Sequence, residues 1–130
     1  MTLVLLFTVT FGVLIALDAV MLTFVMAPLF TAHIGPIMAD PMRLGPAALF
    51  YLGYVAGLLW LVSLPALRDG RAVVAPAAVV GAMAYGTYEL TSYAILRDWH
   101  LSMVLADMAW GTVVTAVSAW AGVAAARRWG

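Results

Sequence analysis

The chain has 130 residues, 66% of them hydrophobic and 9% charged, with mean hydropathy +1.08. An ordinary soluble domain is near half apolar and a quarter charged, so these values exclude one and make the bilayer the solvent. Zero net charge gives no basic surface for nucleic acid, the absence of cysteine removes disulfides, thiolate metal sites and thiol nucleophiles, and the absence of lysine removes Schiff-base chemistry.

The elements follow in chain order. Thr2 to Ala27 is the first predicted span, long enough to cross a core of about 30 Å at about 1.5 Å per residue. It lacks a basic n-region and contains Asp18, so it reads as a retained helix rather than a signal peptide. Pro28 is expected to close it, and Pro28 to Leu44 to form the one substantial loop. Pro46 opens the second span, which runs to about Leu67. Arg68-Asp69-Gly70-Arg71 is a tight turn, and the third span runs from about Val73 to Leu96. After the turn Arg97-Asp98-Trp99-His100, Leu101 to Ala126 is the fourth.

The pattern predicts an all-α fold, an integral membrane antiparallel four-helix bundle, as a single domain over residues 1–130. Its spans are about 2–27, 46–67, 73–96 and 101–126. Arg68, Arg71, Arg127 and Arg128 share one side with the N-terminus, against Arg43 and Arg97 on the other, so the positive-inside rule places both termini in the cytoplasm. Gly53 and Gly57 form a GxxxG edge, a candidate seam for a membrane-protein partner or a second copy. The small-residue tail Ala119, Gly122 and Ala125 offers another such surface.

Depth along each helix isolates a polar layer. Counted from the outer ends, Asp18, Tyr54, Glu89 and Asp107 all lie about 10–14 Å inside the boundary. At about 100° per residue, Gly81, Tyr85, Tyr88, Glu89 and Ser92 share one face of the third helix. Asp107, Trp110, Gly111, Val114 and Ser118 form a stripe on the fourth, and Tyr51 and Tyr54 a face on the second. An unpaired carboxylate at this depth costs several kcal/mol, and no arginine lies within the layer. Either at least one carboxyl keeps its proton at neutral pH or a cation sits among the three.

Other candidates read more plainly. His33 and His100 lie outside the spans and in no ligand spacing, so they read as solvated interfacial side chains. The methionines read as core filler, and Trp60, Trp99, Trp120 and Trp129 as interfacial anchors. Trp110, close to Asp107, reads as a wall of the layer. No catalytic triad, phosphate-binding loop or metalloprotease motif is present, so no motif implies a cofactor or a metal.

These residues carry a resemblance. Tyr85-Gly86-Thr87-Tyr88-Glu89-Leu90-Thr91-Ser92 is similar to the Y-G-T-Y-D-L-T-N signature of bacterial membrane proteins grouped as domain of unknown function family 2177. Phe50 to Gly57 resembles that family's F-Y-x-x-Y-x-x-G, Asp107 to Gly111 its D-x-x-W-G, and Leu17-Asp18 its L-D. Glu89 stands where Asp is usual, Ser92 for Asn and Met21 for Trp. The resemblance implies a four-span protein of the bacterial inner membrane, and no activity.

Three functions fit. The first is a site for a proton, a small cation, or a polar small ligand or lipid head group, formed by Asp18, Tyr51, Tyr54, Tyr85, Tyr88, Glu89, Ser92, Asp107 and Trp110. The second is an accessory subunit of a larger membrane complex. The third is a membrane enzyme with Glu89 and Asp107 as an acid/base pair, which no nucleophile supports.

Overall fold

The apolar runs fold as helices because a backbone in lipid must satisfy its own hydrogen bonds. A computed structural model describes residues 1–130 as four helices: α1 (Thr2–Ile37), α2 (Leu44–Asp69), α3 (Val74–Ile95) and α4 (Leu101–Trp129). The turn from α2 to α3 is made by Gly70, whose φ of 68° favours a residue without Cβ. His100 starts α4 as its cap, its ring accepting the Ser102 N–H at 3.1 Å. The helices alternate in direction, and a Cβ on Gly130 would stand 3.0 Å from Thr2 Oγ1, so both termini leave from one end.

The first helix corrects the sequence expectation. It does not stop at Ala27 but continues through Pro28 to Ile34 and closes in a 3-10 turn over Gly35–Ile37. Proline has no N–H and collides with the carbonyl four residues earlier, so a regular helix would break here. A single wide π-turn over Leu22–Met26 absorbs it, with the Ala27 N–H bonded to Leu22 O, five residues back. The same device recurs in α2, where the π-turn Leu59–Ser63 precedes Pro65 and the Leu64 N–H reaches Leu59 O.

Three helices, α1, α2 and α4, are long and apolar enough to cross a membrane. At 22 residues α3 has the length, about 33 Å, but its polar stretch Tyr85 to Tyr93 lowers its hydropathy. It is packed along α4, which also runs against α1 and α2. Close approach at glycines makes that possible. A Cβ on Gly81 would meet Gly111 O and stand 2.8 Å from Thr115 Oγ1, and one on Gly122 would run into Thr10 of α1.

Two apolar cores result. The larger lies toward the termini, around Leu6, Leu14, Leu58, Val62, Val114 and Val123. A smaller one at the opposite end joins Trp99, Met103 and Val104 to Leu29, Phe30 and Ile34. The polar residues fall between them. Outward, the bundle exposes Phe24 (75%), Leu49 (74%), Trp60 (76%) and Ile95 (79%), a surface that only lipid covers without penalty.

Candidate functional site

The polar layer is assembled from one carboxylate or phenol after another at matching helical heights. Asp18 of α1 points between α2 and α4. The Tyr51 hydroxyl donates to its Oδ2, and the Trp110 indole N–H donates to its Oδ1 at 2.9 Å. One carboxyl thus ties three helices. Tyr54, one turn beyond Tyr51, shares a hydrogen bond of 2.7 Å with Thr115 of α4. Tyr85 of α3 lays its ring over Gly111, where any Cβ would collide with it, and meets Tyr54 edge-on at 6.2 Å.

Glu89 is the most secluded acid. It is fully buried, and its Oε1 accepts the Trp99 indole N–H at 3.0 Å. No donor of the protein reaches Oε2. Asp107 of α4, 9% exposed, is the other buried acid.

Between α1, α2 and α3, with Asp107 of α4 at its base, lies a cavity of about 590 Å³. Asp18 and Asp107 are its two acids, and Tyr51, Tyr85, Tyr88, Phe50 and Phe30 supply aromatic wall. Met42 and Pro46 border it beyond the layer. No arginine lines it. All six stand at helix ends, where Arg68 and Arg71 pair with Asp69, Arg97 with Asp98, and Arg127 bonds Ala66 O at 3.3 Å. The three acids do not converge on one point as metal ligands would. Asp18 is a fixed acceptor, and Glu89 and Asp107 are the two acids that are buried.

Most of the residues named from the sequence meet here, and several take other roles. Ser92 is half-buried on the same face of α3 but makes no hydrogen bond to the layer. Tyr88 is half-exposed and packs edge-on to Trp99 at 5.5 Å. Trp99, expected as an interfacial anchor, is 6% exposed and serves as the donor to Glu89, because the turn after α3 folds its indole back over the helix end. His33 and His100, expected as solvated interfacial side chains, stack on each other at 4.3 Å with rings 8° from parallel. Ala119, Gly122 and Ala125 face inward and are buried, so they pack the bundle rather than dock a partner. Gly53 and Gly57 are the reverse case: nothing lies within 4 Å of where their Cβ atoms would be.

Thr115 and Trp99 were not singled out for the layer. Thr115 carried a weak signal, one turn past Gly111 on the stripe of α4. For Trp99 the spacing of ten residues from Glu89 says nothing until the turn is known.

A helical bundle with this lipid-facing surface and these buried acids is a multi-pass membrane protein with a carboxylate centre inside the bundle. Residues 3–124 match the family model described as "Predicted membrane protein (DUF2177)", and the chain belongs to that family. No curated protein and no solved structure is a match.

Proposed function

We propose that the protein binds an organic cation with an apolar body in the cavity between its four helices. One observation carries this reading: two acids and a set of aromatic rings share a space of about 590 Å³ that contains no basic side chain. A cation placed there meets the carboxylates that otherwise lack a counter-charge and the faces of rings that attract it by about 0.5–2 kcal/mol each. The apolar wall suits the rest of the molecule, be it the chain of an amino lipid or the body of a free amine. In this reading α3 is a fourth crossing, shielded by α4, and the site opens toward the outer leaflet of a bacterial inner membrane.

Calorimetric titration of the detergent-solubilised protein with benzyltrimethylammonium tests it. Saturable binding is expected, with none for the uncharged isostere neopentylbenzene. The double variant Asp18→Asn, Asp107→Asn should bind at least tenfold more weakly while keeping its helical circular dichroism. Equal affinity for cation and isostere, or for both proteins, overturns the reading. Mass spectrometry of protein extracted in mild detergent separates the sources: a co-extracted amino lipid absent from the double variant identifies a lipid ligand, and none identifies a free amine.

A second reading, an accessory subunit of a larger complex, rests on the unfilled edge at Gly53 and Gly57. Co-purification of one defined polypeptide with the wild type, lost in Gly53→Leu, is the result it requires.

A further inference from the structure

We infer that the cation is an ammonium bearing N–H groups, a primary or secondary amine rather than a quaternary one, and that Asp107 is the carboxyl that recognises it. The inference rests on the proposed cation site and narrows its ligand.

The two acids of the cavity differ in what they have left to offer. Asp18 has a donor on each oxygen, the Tyr51 hydroxyl on one and the Trp110 indole on the other. Its charge attracts a cation, but its hydrogen bonds are spent within the protein. The remaining hydrogen bonds of the layer join Tyr54 to Thr115 and Trp99 to Glu89, and none goes to Asp107. Glu89 is fully buried and does not line the cavity. Asp107 is thus the one carboxyl that both borders the cavity and has no donor from the protein. A buried acceptor without a partner is costly, and a charged one more so.

The chemistry of the missing donor follows. A quaternary ammonium presents only methyl groups, so it gains from the ring faces and the charge but leaves the oxygens of Asp107 unbonded. An N–H ammonium gains the same attraction and adds a charge-assisted hydrogen bond, about twice as strong as a neutral one. Tyr85 and Tyr88 also line the cavity, and a phenol oxygen can accept a further N–H. Held at Asp107, such a ligand lays its apolar body past Met26 and Phe30 toward Met42 and Pro46.

Two probes that share a ring and a charge separate the classes: benzylammonium, with three N–H groups, and benzyltrimethylammonium, with none. Each is titrated at neutral pH into detergent-solubilised wild type, Asp107→Ala and Asp18→Asn, and the ratio of the two affinities is read for each protein. Differences in hydration between the probes cancel when ratios are compared, and so does any general weakening of a variant. The ratio should favour benzylammonium about tenfold more in the wild type than in Asp107→Ala. Asp18→Asn should keep the wild-type ratio while binding both probes more weakly. Asp107→Asn, which keeps the volume and one acceptor but not the charge, should fall between. Equal ratios in wild type and Asp107→Ala overturn the inference and leave the cation site standing. A ratio that collapses in Asp18→Asn instead assigns the recognition to Asp18 and overturns it too. Absence of binding by either probe to the wild type overturns both readings. With the preference established, a co-extracted lipid carrying a primary amine names a lipid as the source, and an extract without one names a free amine.

Discussion

At the scale of single residues, Asp18 shows how a carboxyl is made tolerable within a membrane. Two donors from two other helices, Tyr51 and Trp110, occupy its two oxygens. Removing one leaves an acceptor without a partner, which costs about 1–3 kcal/mol in a buried setting. Tyr51→Phe should therefore lower the unfolding temperature in detergent, and Asp18→Asn in the same chain should recover part of the loss. A double-mutant cycle reads the coupling directly, and additive effects would show that the bond contributes nothing. Helical rise and rotation alone reveal that Asp18, Tyr54, Glu89 and Asp107 share a level, because depth and face are properties of spacing. They do not reveal who bonds whom. Thr115 and Trp99 were illegible as partners because a rotamer and a turn, not a period, bring them in.

Among the elements, the glycines divide into two kinds that look identical in sequence. Gly111 is filled from outside by the Tyr85 ring, and Gly81 lies against the backbone of α4, so the α3–α4 seam depends on their missing Cβ atoms. Gly53 and Gly57 face open space. Gly111→Ala should destabilise by about 1–3 kcal/mol through overpacking. Gly53→Ala should be neutral or mildly stabilising, within about 1 kcal/mol, since alanine is the better helix former. Thermal melts of the two variants side by side check this, and equal shifts would contradict it. The GxxxG pattern thus marks an edge that no helix of this chain fills, because such a motif becomes a seam within the bundle only where a neighbour comes. The proline rule failed at Pro28 for a comparable reason. Breaking a helix is one response to a missing N–H, and a wide turn ahead of the proline is another, which keeps Phe30 and Ile34 packed against the start of α4.

For the whole molecule, composition alone established the membrane and the helical bundle, and the paired termini follow from four alternating helices. Sidedness rests on arginines, four at the terminal end and two at the other. The natural chain has no cysteine, so one introduced thiol reports its location without background. A cysteine at Ala39 should react with a membrane-impermeant maleimide in intact cells, and one at Gly130 only after lysis. The opposite pattern would invert the protein and turn the cavity toward the cytoplasm.

The indole of Trp99 donates to the buried carboxyl of Glu89. A protonated carboxyl beside an excited indole drains its emission, whereas a carboxylate shifts and restores it. In a chain where Trp60, Trp110, Trp120 and Trp129 are replaced by phenylalanine, the remaining emitter becomes an optical gauge of Glu89. The occupancy of a single buried proton would then be visible as colour and brightness, in real time and without a label.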